Sequence, residues 1–352
     1  MLTLRETLRQ WTPSWLPQVL GYTISAVCLL WVLYNYNIRD FTAAVRTLDW
    51  KWVALAVALD VSVYLVHGWR WNTLLGPVVR LRFWRTVQAI YIGLFANEVL
   101  PLRVGEVIRC YLLAHWSDFR ISLSFASAAV ERLIDGFWMF AAFLVTAGFV
   151  RRIPRDLYIL VEIVGLVLLA GAGILVWVVY HKQEVHLVIR ESRWAATLRH
   201  IVEGLNLMGN RRTITLTVLI SGLYLALQVV SVWALMNAYG FDLSLWVAGG
   251  VLTIVRLGTV LPNAPGNLGL FQVACVLAMG LFDVERNDAK TFSFVMFFAL
   301  TLPLLIGGAV ATALTGLNLG ELRDDLAMRT LAEFAQVQPG ECRRHRASDQ
   351  QG

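Results

Sequence analysis

The sequence predicts an all-α polytopic membrane protein, with six full spans plus two re-entrant helical hairpins in an inverted repeat. Three observations predict it. Hydrophobic residues make up 58% of the 352-residue chain, charged residues only 15%, and mean hydropathy is +0.62. An ordinary soluble domain carries about 25% charged and 45–50% apolar residues. The excess gathers in long runs such as 214–236 and 292–319, which hold no charged residue. Two more apolar stretches are interrupted in their middle by proline and glycine. A bilayer core is ~30 Å thick, so a helix needs ~20 apolar residues to cross it. Lipid offers the backbone no hydrogen-bond partners, so such runs cross as helices.

The elements follow in order. Residues 1–16 carry Arg5 and Arg9 and read as a cytoplasmic N-terminus. The run 17–36 is longer than a signal-peptide core and lacks a small-residue cleavage site, so it reads as a retained span. Further spans are expected at 52–75, 121–149, 157–180, 213–239 and 292–319. Between them, 86–113 is broken at residues 97–106, and 245–281 is broken at residues 260–267. Proline stops a helix and glycine permits a tight reversal, so each region reads as helix, break, helix. The charged segment 181–212 reads as a cytoplasmic linker helix, and 321–352 as a polar cytoplasmic tail.

The breaks share a pattern. Residues 99–105 read Val-Leu-Pro-x-x-x-Gly, and residues 260–266 repeat it. Each half, 17–150 and 157–320, then holds three spans and one broken region within a transmembrane domain at 17–320. Three is odd, so the second half enters the membrane inverted, an architecture common among transporters. The alternative is seven or eight full spans without symmetry. With both termini cytoplasmic, nineteen basic residues fall inside and eight outside. That bias follows the positive-inside rule and orients the chain in a bacterial-type cytoplasmic (plasma) membrane. A net charge of +6 and the 14 Trp fit lipid headgroups and the membrane interface rather than nucleic acid. The four cysteines are widely spaced and form no Cys-x-x-Cys pair. Neither a disulfide framework nor a metal site is expected, and no cofactor. His181, His186 and His200 lack metal-ligand spacing and read as surface residues.

Three constellations carry charge into apolar sequence. At the first break, Asn97 precedes Pro101, Arg103, Gly105, Glu106 and Arg109. If the helix resumes near residue 104, Arg103, Glu106 and Arg109 share a face. The new helix N-terminus, with its free N–H groups, then favours an anion such as a lipid phosphate. The alternative is an interfacial helix whose arginines only touch headgroups. The second constellation is Glu131, Arg132 and Asp135 within a span. Charges there cost a few kcal/mol each on insertion scales and must face partners. They form either a headgroup contact or proton-coupled switch, or an ion pair that locks helices together. In the third, Arg256 precedes Pro262, Pro265, Gly266 and Gly269. Its expected partner is Glu131, Asp135 or a substrate phosphate. Asp60 and His67 share a helix face and are expected to be satisfied by neighbouring helices.

These motifs, from Asn97 to Arg109, from Val130 to Gly136 and from Pro262 to Gly269, resemble the lysylphosphatidylglycerol synthase transmembrane region family over about residues 15–320. The resemblance implies a flippase-like membrane domain that moves lipid across the bilayer. In two-part members a soluble transferase aminoacylates the lipid; that part is not expected here. Asn267 stands where the family pattern usually has glycine, and Gln272 where it usually has glutamate. No phosphate loop, Gly-x-Ser-x-Gly or zincin signature occurs. The leading expectation is a transporter of an anionic or lipid-linked headgroup, bound by Asn97, Arg103, Glu106, Arg109, Glu131, Arg132, Asp135 and Arg256. The alternatives are a membrane-embedded transferase on a lipid substrate, or a non-transporting partner of lipid or envelope biosynthesis enzymes.

Overall fold

The computed structural model describes residues 16–100, 104–149, 165–166, 211–259 and 265–316. Expectations for the N-terminus, nearly all of the span at 157–180 and of the 181–212 linker, the tail, Pro101, Arg103 and Pro262 lie outside those residues. Ten α-helices are described, with no strand among the described residues. They are α1 (Leu16–Leu33), α2 (Ile38–Thr47), α3 (Trp50–Leu75), α4 (Phe83–Val99), α5 (Gly105–Trp116), α6 (Ile121–Phe149), α7 (Arg211–Tyr239), α8 (Leu245–Thr259), α9 (Leu270–Gly280) and α10 (Arg286–Thr315). A 3-10 turn, Pro265–Asn267, lies between α8 and α9.

Among the described residues, three helices are long and apolar enough to cross a membrane by length and composition: Trp50–Leu75, Arg212–Tyr239 and Arg286–Thr315. Helix α6 covers the expected run 121–149, its interior interrupted by Glu131, Arg132 and Asp135. Apolar side chains also cover the outside. Leu302, Ile306, Val310 and Leu314 of α10 are exposed four residues apart, which draws an apolar stripe along one face of the helix. Such a stripe suits lipid and not water.

Two elements differ from expectation. Residues 38–47, between the first two expected spans, form a helix. Asn37 caps it by accepting a hydrogen bond from the Arg39 N–H at 3.1 Å, with Asp40 in its first turn and Arg46 in its last, both placed to suit the helix dipole. Helix α10 starts at Arg286, six residues before the apolar run. Buried Lys290 is accommodated there because its Nζ donates to the Tyr34 carbonyl at 2.8 Å.

The packing is reciprocal between the halves. Helix α3 lies along α7. The first broken region packs α4 on α10, and the second packs α8 on α6. Each broken region therefore rests on the last helix of the opposite half. Small residues permit the close approaches: Gly307 and Gly308 of α10 sit against Tyr91 and Phe95 of α4, and Gly250 of α8 sits against Thr146 of α6. One buried core joins α7, α8, α9 and α10, and a second joins α3, α4, α5 and α6.

Candidate functional site

The two breaks are built alike. After the first, the Gly105 N–H donates to Asn97 Oδ1 at 2.8 Å, so a side chain from the last turn of α4 caps α5. After the second, the Gly269 N–H donates to Gln272 Oε1 at 2.7 Å, so a side chain of α9 caps its own helix. Both carboxamides satisfy N–H groups that a helix start leaves open. The Gly105 N–H is thus already occupied, and Asn97 serves as its cap. At the second break the backbone turns left-handed at Gly266, Asn267 and Gly269, with φ of 76°, 53° and 88°. Asparagine enters that region more readily than most residues, which accounts for its standing at position 267 in place of glycine. Gly269 also lies against the Ser25 carbonyl of α1, where a Cβ has no room.

Behind the first break lies a buried ion cluster. Arg70 of α3, 1% exposed, donates through Nε to Glu131 Oε1 at 3.1 Å. Its two terminal nitrogens hold Asp135, one through a short hydrogen bond to Oδ1 and one to Oδ2 at 3.3 Å. It also reaches Ser221 Oγ of α7 at 3.3 Å. Arg109 of α5, equally buried, donates to Glu131 Oε2 at 3.3 Å and pairs with Glu106 at 2.8 Å. Its guanidinium lies 4.8 Å from the Trp71 ring centroid. Its other terminal nitrogen is 2.9 Å from His67 Nε2. Arginine can only donate, so this His67 nitrogen accepts and the ring proton sits on Nδ1. Arg132 closes the set on Glu106 through a short hydrogen bond and stands 4.0 Å from Asp135.

Three arginines therefore face three carboxylates, and every oxygen of Glu106, Glu131 and Asp135 has an arginine nitrogen within 4.0 Å. Desolvating such charges costs several kcal/mol per ion unless geometry and hydrogen bonds are good. Here the carboxylates are fully engaged; among the described residues Arg109 Nε is buried without a partner, and the Arg132–Glu106 end of the cluster reaches the surface. The cluster ties α3, α5, α6 and α7 together.

Between the breaks lies a cavity of about 250 Å³. Asp60 and Tyr64 of α3, Glu98 of α4, Tyr224 and Gln228 of α7, Arg256 of α8 and Asn267 of the turn all line it. A Cβ at Gly266 would come within 3.6 Å of a Glu98 carboxylate oxygen, so the breaks adjoin here. The expected pairing of Arg256 with Glu131 or Asp135 does not form, because Arg70 occupies both acids. Among the described residues no carboxylate lies within 4 Å of Arg256, and its guanidinium sits 5.8 Å from the Tyr224 centroid. The same ring receives Arg70 at 4.7 Å, so Tyr224 is shared by cluster and cavity. Gln228 Oε1 is buried and, among the described residues, has no hydrogen-bond partner. Asp60 accepts from the Tyr64 hydroxyl at 3.2 Å. Among the described residues, no group of three or more His, Cys, Asp or Glu side chains could hold a metal ion.

Arg70, Tyr224 and Gln228 were not singled out from sequence, and Asp60 was set aside as satisfied. The signal was available for Arg70. It is a lone charge inside a long apolar helix, and the reasoning that flagged Glu131 applies equally to it.

A helical bundle with apolar outer faces, broken helices meeting inside it and charges neutralised in its interior belongs among multi-pass membrane proteins. The comparisons give the family. The profile described as the lysylphosphatidylglycerol synthase TM region matches residues 18–308, and the chain belongs to that family. Among curated proteins it is similar to two UPF0104 membrane proteins of Methanothermobacter thermautotrophicus. One is 24% identical over 273 residues, covering 70% of this chain and 80% of the relative. The other is 24% identical over 292 residues, covering 78% and 86%. A UPF0104 membrane protein of Methanocaldococcus jannaschii is 22% identical over 222 residues, covering 59% and 91%. No solved structure matches the chain.

Proposed function

We propose that this protein translocates a lipid with a phosphate-bearing headgroup across the cytoplasmic membrane. The headgroup enters the cavity between the two breaks while the acyl chains stay in lipid. One observation carries the reading: in a mainly apolar cavity bordered by both breaks, Arg256 stands among a few polar side chains, Asp60, Glu98 and Gln228 with it, and has no carboxylate within 4 Å among the described residues. Carrying a phosphate through bare hydrocarbon costs tens of kcal/mol on an idealised Born scale, so a polar path lined by a cation is what transport needs. Arginine grips phosphate with two parallel hydrogen bonds. The buried cluster then serves as a neutral wall, with Arg109, Glu131 and Asp135 holding helices rather than headgroup. Arg103 would extend the cationic path from the first break.

In this reading the broken regions are re-entrant hairpins of an inverted repeat with six full spans and both termini cytoplasmic. Rocking one half against the other exposes the cavity to each leaflet in turn. The reciprocal packing of α4 on α10 and α8 on α6 supports that symmetry. Lipid or envelope biosynthesis enzymes would be the partners that supply or use the lipid.

The test is reconstitution of the whole chain into liposomes with phosphatidylglycerol carrying a fluorophore that an impermeant reductant bleaches. Wild type should let the inner-leaflet fraction become bleachable, and Arg256→Gln should slow this at least about tenfold, as loss of a charged phosphate contact implies. Equal rates for Arg256→Gln and wild type would remove Arg256 from the site. Equal rates for wild type and empty liposomes would remove the function.

A further inference from the structure

Asp60 lies near the middle of the 26-residue helix α3 and is buried. It differs from the cluster acids in what faces it. Among the described residues no cationic side chain lies within 4 Å of its carboxylate, which accepts one hydrogen bond, from Tyr64. Across the cavity, Arg256 is near enough for their charges to interact. Among the described residues, the other titratable or charged groups that face Asp60 or line this space are few. Tyr64 lies on α3 itself, Tyr91 and Glu98 come from α4, and Tyr224 comes from α7. The carboxylates of α6 are held by Arg70, and α9, α10 and the turn contribute only uncharged side chains to the lining.

Asp60 and Arg256 belong to opposite halves of the chain. An ionised Asp60 attracts Arg256 across the cavity. A lipid phosphate placed there competes for the same guanidinium and brings a second negative charge beside Asp60. A proton on Asp60 removes both conflicts.

We propose that Asp60 is a proton-binding site coupled to the headgroup: a lipid phosphate and the Asp60 carboxylate compete for Arg256, so that loading the headgroup takes up one proton on Asp60 and the two cross together. The proton comes from the aqueous side to which the cavity is open and leaves on the other when the phosphate does. No bond other than O–H is made or broken. This rests on the headgroup reading above, and it makes transport of a singly anionic lipid electroneutral.

The experiment is calorimetric binding of short-chain phosphatidylglycerol to the purified full chain in detergent. It is run at a series of pH values and in buffers of different ionisation enthalpy, which counts protons. Wild type should bind more tightly as pH falls, by up to roughly tenfold per pH unit where Asp60 titrates, with about one proton taken up per lipid. Asp60→Asn should bind with the tight, low-pH affinity at every pH and take up no proton. Asp60→Glu should restore the pH dependence. Glycerophosphoglycerol, the same singly anionic phosphodiester without acyl chains, should show the same proton uptake with weaker affinity; tighter binding of glycerophosphoglycerol than of lipid would overturn the lipid assignment. Asp60→Asn keeping the wild-type slope and proton uptake would overturn the coupling while leaving the headgroup site intact. Wild type that binds no lipid at any pH would instead sink the headgroup reading, and the coupling with it.

Discussion

Helix α3 and the ring of Tyr224 serve two polar regions that treat charge in opposite ways. At Arg70 and His67, α3 enters a cluster in which three arginines and three carboxylates cancel and almost every donor and acceptor is taken. Two turns towards its N-terminus, at Asp60 and Tyr64, the same helix borders a cavity lined by two acids, Asp60 and Glu98, and one arginine that has no carboxylate within 4 Å among the described residues; a buried glutamine oxygen there has no partner among them either. A closed network in low dielectric rigidifies, whereas an open one leaves groups ready for something that is not protein. Residue type does not separate structure from function here, since both regions contain arginine and carboxylate. Saturation separates them.

The largest expected effect is in the closed region. Glu131→Gln leaves Arg70 and Arg109 facing a neutral amide in a dry interior. Breaking one partner of a buried network costs about 3–5 kcal/mol. Thermal unfolding in detergent, followed by a maleimide dye that reaches the buried thiols of Cys110 and Cys275, should show a large fall in midpoint. An unchanged midpoint would mean the cluster is not the lock described.

Next comes the first break. A Cβ at Gly105 would collide with the Gly93 carbonyl oxygen and the Asn97 side chain, so α4 and α5 must separate. Gly105→Ala should cost roughly 2–3 kcal/mol in the same assay, within the range of steric core defects. In the open region the stability effect should be smaller. Arg256→Gln loses a contact with the Tyr224 ring, worth about 0.5–2 kcal/mol, and breaks no ion pair. Its consequence belongs to translocation. An Arg256→Gln midpoint as low as that of Glu131→Gln would erase the distinction between the regions.

Much of this was legible in the sequence because it is local. Apolar runs give helices, and the Pro and Gly in residues 97–106 and 260–269 mark the breaks. Glu131 and Asp135 announce themselves as charges in an apolar helix. What was not legible is pairing. Arg70 and Glu131 are 61 residues apart, and nothing in either segment says that Arg70 rather than Arg256 takes the acid. The short helix α2 was missed because it has no long apolar run, although Ile38, Phe41 and Val45 recur at helical spacing and Phe41 packs on Phe294 and Phe298 of α10. Gln272 stands where the family pattern usually has a glutamate. In the structure it is an uncharged, fully buried side chain that caps α9 through its oxygen and, among the described residues, leaves only Nε2 without a partner, where a carboxylate would carry a charge into the interior.

The smallest predicted effect tests whether the two breaks are equivalent. Asn97→Ala removes the oxygen that accepts from the Gly105 N–H, and losing such a cap costs ~1 kcal/mol. Gln272→Ala removes the matching acceptor at Gly269, but from a fully buried position, so it also leaves a void beside α9 and should cost more, roughly 2 kcal/mol. Asn97→Asp keeps the acceptor and places a negative charge at a helix N-terminus, which the backbone dipole favours. It should recover most of the stability lost in Asn97→Ala. Recovery shows that Asn97 acts here as a cap. If Asn97→Ala instead left the unfolding midpoint unchanged and abolished lipid translocation, the Asn97 side chain would belong to the open region, and the first break would be part of the headgroup path rather than its frame.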